Sequence, residues 1–316
     1  MKEIKKFRHV YLSLLILVLA QALALIVAAR EDPFLASKNF QAPVQPPNVV
    51  IIWPQPVTTP SGEVIQVPAH SSFGPIVIYF LVAALVIGGV LFLIPVSKLT
   101  LLLRVIFTLL FGWGALIIFG LWLPLVVTLI IAAALAIGWF FVHRVWLHNL
   151  AMLLAMIAMG AVFGHLISPW TMMLIILAIA VYDFLAVRFG YMVWMAEKLS
   201  ESDNLPAFII PHTISGWGSS LREADVHKLT EISPSERSYS ILGGGDVGFA
   251  LLIECSVYFA RGLNSAILVA LFSLVGLASA YWIQAAFLKG RPMPALPPIA
   301  VLSLIGLIIA VGLPAF

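Results

Sequence analysis

Three acidic residues lie within long apolar stretches of this sequence: Asp183, Asp246 and Glu254. An ionisable side chain in the hydrocarbon core of a bilayer is costly, so a carboxyl group placed there indicates a functional site. Two carboxyl groups held close together cannot both ionise easily, and one of them keeps its proton. Such a pair can divide general acid and general base roles, or it can serve as a proton or cation relay. Composition and position leave both kinds of chemistry open.

The elements that must position these groups are membrane helices. The 316-residue chain is 62% hydrophobic and 10% charged, whereas a soluble domain has about 25% charged residues. This composition excludes a soluble globular protein, because too few polar groups are present to cover a folded surface, and it also excludes disorder. The single cysteine, Cys255, excludes an internal disulfide and every multi-cysteine zinc site.

Nine apolar runs approach the length of about 20 residues that crosses a bilayer core. They are roughly His9–Ala29, Phe73–Ile94, Val105–Leu121, Leu125–Val142, Leu150–Ile167, Trp170–Phe189, Asp246–Leu263, Ser265–Leu288 and Leu296–Leu313. The sequence therefore predicts an all-α polytopic membrane protein with nine transmembrane helices, in which residues 1–316 form one integral membrane domain. Helices one to six lie within 9–189, a cytoplasmic loop covers 197–242, and helices seven to nine lie within 243–313.

The basic residues predict the orientation of these helices. With a cytoplasmic N-terminus, 14 of the 17 lysine and arginine residues lie on the inner side of nine spans and three lie outside. Because an excess of positive charge marks the cytoplasmic side, the N-terminus is predicted inside and the C-terminus outside the cell membrane. The same sidedness accounts for the pI of about 9.0, so we expect no nucleic-acid partner.

The outer segment between the first two runs contains two short stretches of strand-forming residues. Val49–Trp53 and Glu63–Val67 flank the turn-forming Thr58–Gly62. This pattern predicts a small β-hairpin on the outer surface, with an irregular loop as the alternative.

The predicted orientation places two of the carboxyl groups at one depth. Asp183 is 14 residues beyond Pro169. At about 1.5 Å per residue it lies about 21 Å from the outer edge, and so about 9 Å from the inner edge of a core about 30 Å thick. Asp246 follows the inner start of its helix near Gly243 and lies about 5 Å deep. The two helices are consecutive and antiparallel, so the two carboxyl groups can face each other. Glu254, about 12 Å deeper and on another helix face, is expected to be a neutral, hydrogen-bonded buried acid, with a place in the lining of a cavity as the alternative.

Three short motifs accompany the two aspartates in a fixed order. Tyr182 precedes Asp183, a G-x-G-D motif begins at Gly243 and ends at Asp246, and Pro294–Pro297 (P-A-L-P) opens the ninth run. Together with nine spans, this ordered trio resembles the presenilin and signal peptide peptidase family of intramembrane aspartyl proteases. The single chain with short loops is similar to microbial, archaeal members of that family.

The resemblance implies a function and a set of site residues. It makes Asp183 and Asp246 a catalytic dyad that hydrolyses peptide bonds in transmembrane segments of single-span proteins, using an activated water and no metal or cofactor. It implies supporting or substrate-binding roles near the dyad for Tyr182, Gly243, Gly245, Pro294, Ala295, Leu296 and Pro297. The N-in orientation matches presenilin rather than signal peptide peptidase, which implies substrates whose N-termini are outside. The expected partners are transmembrane peptides and the lipid bilayer, and no accessory subunit is evident.

Two segments of the inner loop are candidate strands for holding an unwound substrate. Ser238–Leu242 leads directly into the G-x-G-D motif, and Ala207–Ile210 lies between two prolines. A substrate helix must unwind before its peptide bonds can be hydrolysed, and an extended segment can add to an exposed strand edge. We predict such β-addition here, with Ile241 and Leu242 in contact with the substrate. An inner loop without a substrate role is the alternative. Gly243 and Gly245, which lack Cβ atoms, are expected to permit the close approach of another backbone segment and positive φ.

Other functions would leave different sequence signals. A transporter or channel that uses Asp183 and Asp246 as a proton or cation site also fits nine spans and two intramembrane acids. Prepilin-type peptidases carry a G-x-G-D aspartate in a membrane, but the P-A-L-P motif and the late position of G-x-G-D argue against them. The chain has no H-E-x-x-H motif, so a zinc intramembrane protease is unsupported. The ordered motifs favour the aspartyl protease.

Overall fold

The computed structural model describes residues 8–37, 50, 52, 56–58, 64–66, 72–200, 204–221, 238–287 and 293–312. Most of these residues are helical. The helices are α1 (Arg8–Ser37), α2 (Phe73–Leu93), α3 (Val96–Gly120), α4 (Leu125–Phe141), α5 (Val145–Leu166), α6 (Pro169–Arg188), α7 (Tyr191–Ser200), α8 (Gly244–Arg261), α9 (Leu263–Ala286) and α10 (Leu296–Gly312). Each of the nine apolar runs forms a helix, and α7 is a short additional one.

Within the described residues, six helices are long and apolar enough to cross a membrane: α1, α2, α3, α5, α6 and α9. Two further apolar helices, α4 and α10, have 17 residues each. At about 1.5 Å per residue, such a helix is about 26 Å long, slightly less than a core of about 30 Å. Helix α8 has 18 residues and contains Asp246 and Glu254. The count of nine spans and their orientation therefore stay predictions.

The predicted hairpin forms, but with a different first strand. Strand β1 (Pro56–Thr58) pairs antiparallel with β2 (Val64–Gln66), so the prediction for the second strand is confirmed and Val49–Trp53 as its partner is wrong. Of that stretch, only residues 50 and 52 are described, and neither is in a strand. The carbonyl of Ile52 accepts a hydrogen bond (2.7 Å) from the N–H of Gly74 in α2. Pairing from 56–58 also shortens the connection to β2, as hairpins favour.

A second sheet lies between α7 and α8. Strand β3 (Ala207–Pro211) pairs antiparallel with β4 (Tyr239–Gly243). Both candidate strands are therefore confirmed, and they pair with each other. Because β4 leads directly into α8, the sheet lies at the N-terminal end of the helix that carries Asp246.

Helices α5 and α8 pack closely because small residues line their contact. A Cβ added at Gly160 would lie 2.9 Å from Cβ of Leu251, and one at Gly164 would lie 2.6 Å from Cβ of Cys255. Both distances are shorter than side-chain carbons tolerate, so glycine sets this helix spacing. Cys255 is fully buried there, as expected for a small hydrophobic residue.

Candidate functional site

Helices α6, α8 and α10 hold the two aspartates by apolar packing. One buried cluster contains side chains of all three helices, including Ile176, Ile179, Ala180, Leu252, Ile253, Val257, Leu296 and Ala300. Asp183 lies near the end of α6, and Asp246 lies in the first turn of α8. The packing of three helices therefore decides where the two carboxyl groups lie.

Asp183 is buried, with 7% of its surface exposed. Its carboxylate accepts a hydrogen bond from the backbone N–H of Leu296. Leu296 is the first residue of α10, where N–H groups have no acceptor within the helix. Pro297 and Pro298 have no N–H, and proline fixes φ, so this helix start has few donors and a stiff backbone. The P-A-L-P segment thus provides Asp183 with a hydrogen-bond donor, the N–H of Leu296, on a backbone of restricted conformation.

Asp246 is half-buried and lies close enough to Asp183 for direct electrostatic interaction between the two carboxyl groups. The structure thereby brings together the two residues that the depth argument places in one layer. Two carboxyl groups in this arrangement hold one proton between them more readily than none. Among the described residues, no group of three or more His, Cys, Asp or Glu side chains could hold a metal ion.

Gly243 makes room for the carboxylate of Asp246. A Cβ at position 243 would lie 2.7 Å from Oδ2 of Asp246, which is too close for a carbon beside a carboxylate oxygen. The residue has φ −56°, so the expected positive φ is wrong at this position. Close approach, rather than an unusual backbone conformation, explains the glycine.

The second close approach is at Gly244 rather than Gly245. The N–H of Gly244 donates to the carbonyl of Pro206 at 3.0 Å, and a Cβ at 244 would lie 2.8 Å from that same oxygen. A Cβ at Gly245 would meet only ring carbons of Phe249, the nearest at 3.8 Å. Gly245 is exposed, so within this chain its lack of a side chain leaves open space beside Asp246.

Tyr182 connects α6 to two neighbouring helices. Its ring packs edge-on against Phe80 of α2, with the centroids 5.4 Å apart and an interplanar angle of 88°. Its hydroxyl is hydrogen-bonded to Tyr191 of α7, which in turn donates to the carbonyl of Ala84 at 3.3 Å. Tyr182 therefore fastens α2 and α7 to α6 next to Asp183.

The side chains of β4 point in two directions. Leu242 is 3% exposed and belongs to the main apolar core, so it supports the sheet from inside. Ile241 is half-buried and packs against two smaller clusters. On α10 and just before it, Pro294, Ala295 and Pro297 are half-buried as well.

The register of the sheet decides which backbone groups of β4 are available. The carbonyl of Pro206 bonds to the N–H of Gly244, and the N–H of His212 bonds to the carbonyl of Ser238 at 2.9 Å. Even-numbered residues thus form the hydrogen-bonded pairs, and in an antiparallel ladder the residues between them turn both backbone groups outward. The N–H and C=O of Ile241 point to the free edge of β4, where they have no partner among the described residues.

The other edge of the sheet is covered by two buried side chains of α5. Oδ1 of Asn149 accepts from the N–H of Ile209 at 2.9 Å, and its Nδ2 donates to the carbonyl of the same residue at 2.6 Å. Nε2 of His148 lies 3.0 Å from the carbonyl oxygen of Ala207. Nε1 of Trp139 donates to Nδ1 of His148 at 3.3 Å.

His148 and Asn149 were not among the predicted site residues. The predicted fifth run begins at Leu150, whereas α5 begins at Val145, so both side chains fell just outside the predicted helix. A His-Asn pair at the start of an apolar helix is the signal that could have found them, because polar side chains there need partners once they are buried.

Glu254 is fully buried, as expected. Neither of its carboxyl oxygens has a hydrogen-bond partner within the described part of the chain, so the expected hydrogen bond is not found there. A carboxyl group in such surroundings stays neutral, because ionisation without a partner is costly there. It is remote from the dyad along α8 and does not extend it.

We expect Glu254→Met to raise the thermal unfolding midpoint of the protein in detergent. The variant replaces an unpartnered buried carboxyl group, which costs about 1–3 kcal/mol, by an apolar side chain of similar length. Leu252→Met, at a buried apolar position of the same helix, is the control and is not expected to raise the midpoint. A midpoint lowered by several degrees in Glu254→Met would show that the carboxyl group stabilises the fold.

Comparisons with known proteins show which family and which fold the chain resembles. The family model described as "Signal-peptide peptidase, presenilin aspartyl protease" matches residues 58–314. Two solved structures of a presenilin family intramembrane aspartate protease are similar to the chain at 18% identity. The one in space group C222 aligns over 95% of this chain and 98% of its own, with a TM-score of 0.59. The one in space group P2 aligns over 95% and 96%, with a TM-score of 0.53. No curated protein sequence matches significantly.

Proposed function

Since this chain belongs to the signal-peptide peptidase and presenilin aspartyl protease family, we propose that it is an intramembrane endopeptidase that cuts within transmembrane segments of single-span proteins. The observation that carries the proposal is the placement of Asp183 near the end of α6 and of Asp246 in the first turn of α8, two helices that pack in one buried cluster, so that the two carboxyl groups interact electrostatically. In this proposal the protein is a multi-pass protein of the cell membrane, with its N-terminus in the cytoplasm.

The two carboxyl groups divide the chemistry between them. The ionised one takes a proton from a water molecule, and the protonated one donates a hydrogen bond to the scissile carbonyl. Attack of the water oxygen on the carbonyl carbon, with transfer of the proton of the protonated carboxyl group to the carbonyl oxygen, forms a gem-diol. Its collapse breaks the C–N bond while the dyad returns a proton to the leaving nitrogen. The N–H of Leu296, bonded to Asp183, orients that carboxyl group. This scheme uses neither a metal nor a cofactor.

The free edge of β4 supports substrate binding by strand addition. A transmembrane helix uses its peptide groups in its own hydrogen bonds, so the scissile segment must unwind, and an unwound segment needs new partners. The outward N–H and C=O of Ile241 are such partners. Because β4 continues into α8, a strand paired there passes beside Gly243 and Asp246.

The proposal is tested by incubating the purified protein in liposomes with a single-span peptide. Cleavage that is blocked by a hydroxyl-bearing mimic of the gem-diol supports the protease. Ion flux without cleavage of any tested peptide would favour a transporter instead. A panel of peptides in both orientations tests which substrates the protein accepts. Peptides whose N-termini are outside are expected to be cut, and cleavage only of peptides whose N-termini are inside would overturn this substrate preference.

We expect Gly243→Ala to lower kcat by about tenfold or more with little change in the unfolding midpoint. The added Cβ would meet Oδ2 of Asp246 at 2.7 Å, so the carboxylate must move, and small displacements of a catalytic group cost large factors in rate. Gly89→Ala is the matched control, because a Cβ there meets nothing within 4 Å. Equal kcat values for the two variants would contradict the positioning argument.

A further inference from the structure

The amide of Asn149 fills the place of a third strand beside β3. It accepts from the N–H and donates to the carbonyl of one residue, Ile209. This is the exchange that a residue of a neighbouring antiparallel strand makes with its opposite number. Asn149 is 6% exposed, so the contact is sealed from solvent. The outward-facing groups of Ile209 are therefore not available to any other strand.

His148 forms a hydrogen bond with the next outward-facing carbonyl on the same edge of β3. Because Nδ1 accepts from Trp139, the ring proton is on Nε2, which donates to the carbonyl of Ala207. The imidazole is thereby held in one tautomer, and both nitrogens are used. His148 and Trp139 are each fully buried. Packing of α4 against α5 thus fixes the orientation of this donor.

These contacts reach the dyad through the register of the sheet. Ala207 lies opposite Gly243, and Gly243 is the residue against which the carboxylate of Asp246 lies. Ile209 lies opposite Ile241, which presents the free backbone groups of β4. Each α5 contact on β3 is therefore directly across the sheet from a position used by Asp246 or by the substrate strand.

We propose that His148 and Asn149 are positioning residues that close the β3 edge and fix the sheet against α5, so that a substrate strand adds only to β4 and in one register. This inference rests on the proposed function. An antiparallel pairing keeps its alternation when it slips by two residues, which is about 7 Å along a strand. If the sheet were held less firmly, the substrate strand could therefore slip by two residues at a time. A different peptide bond of the substrate would then lie at the dyad.

The test measures where the peptide is cut, as well as how fast. Full-length wild type, Asn149→Leu, His148→Leu and His148→Gln are incubated with one single-span peptide, and the products are identified by mass spectrometry. In Asn149→Leu and His148→Leu we expect kcat/KM to fall by about tenfold or more. We also expect new cleavage positions, two residues from the original one. His148→Gln keeps an N–H donor and should restore the original position. Hydrogen exchange of the segment containing Ile209 should be faster in Asn149→Leu.

Gln21→Met is the matched control. Gln21 is also buried and also makes two side-chain hydrogen bonds, to the carbonyl of Ala270 and to Oγ of Ser273, but it contacts α9 rather than the sheet. The inference is overturned if Asn149→Leu or His148→Leu folds and cuts only at the wild-type position with kcat/KM within about twofold. It is also overturned if Gln21→Met produces new cleavage positions to the same extent as Asn149→Leu and His148→Leu.

If Asn149→Leu does not fold, the His148→Leu and His148→Gln pair decides the matter. Asp246→Asn separates this inference from the proposed function. Cleavage that persists in Asp246→Asn refutes the protease mechanism and with it the inference. Cleavage lost in Asp246→Asn but unaltered in the α5 variants refutes the inference alone.

Discussion

Asp183→Asn and Asp246→Asn are each expected to reduce cleavage of a transmembrane peptide by about a thousandfold or more, because an amide cannot exchange a proton with water or with the leaving nitrogen. Asparagine keeps the shape of aspartate, so the packing of α6, α8 and α10 around the site is preserved. The measurement is single-turnover cleavage in liposomes, with the unfolding midpoint of each variant recorded beside it.

The double variant sharpens this result. Since the two carboxyl groups act as one proton-sharing unit, losing both should cost hardly more than losing either, as is typical of residues that act together. Glu254→Gln is the control for a buried acid of the same helix that lies outside the dyad, and it should cleave at the wild-type rate. Strong residual activity in either single variant would mean that the remaining carboxyl group suffices, and the paired mechanism would then be wrong.

Ile241→Pro is expected to lower kcat/KM by about tenfold or more while the unfolding midpoint stays close to that of the wild type. Proline removes the one N–H that Ile241 directs to the free edge of β4, and a proline on an edge strand blocks the addition of another strand. The ladder between β3 and β4 loses nothing, because Ile241 is not in a hydrogen-bonded pair. Cleavage kinetics and thermal unfolding are measured on the same preparation.

The neighbouring position gives the matched comparison. Ser240 faces Ile210 in the register and belongs to a hydrogen-bonded pair, so Ser240→Pro breaks the sheet itself and should lower the unfolding midpoint. Ile241→Val keeps the N–H and should retain activity. Full activity of Ile241→Pro would remove strand addition at β4 as the mode of substrate binding.

The placement of the dyad could be predicted from the sequence because depth depends only on helix rise and orientation. Residue type alone narrowed the candidates to the three acids of the apolar runs, and depth and the flanking motifs then separated Asp183 and Asp246 from Glu254. The strands 207–211 and 239–243 were also predictable, since prolines and β-branched residues mark them. Their pairing with each other was not, because residues 212–238 separate them and no local signal specifies a distant partner.

Contacts between distant segments account for what the sequence could not show. Gly244 needs to be glycine because Cε of Met152 and the carbonyl oxygen of Pro206, both from distant parts of the sequence, lie against it. Asn149 gains its role only when Ile209 is brought beside α5. The hairpin prediction failed at its first strand for the same reason, since Ile52 finds its partner at the start of α2. Hydropathy predicts which segments are buried in lipid, but it does not predict which backbone group a side chain will contact.

The hydrogen bond from Leu296 to Asp183 also bears on how the protein is made. Ribosomes synthesise α6 and α8 before α10, so both aspartates enter the membrane before the N–H that orients Asp183 exists. During that interval the nascent helices of the chain are themselves transmembrane segments lying beside an unfinished dyad. In the proposed protease, completion of the site by the last helix would therefore separate in time the insertion of the chain from the onset of proteolysis.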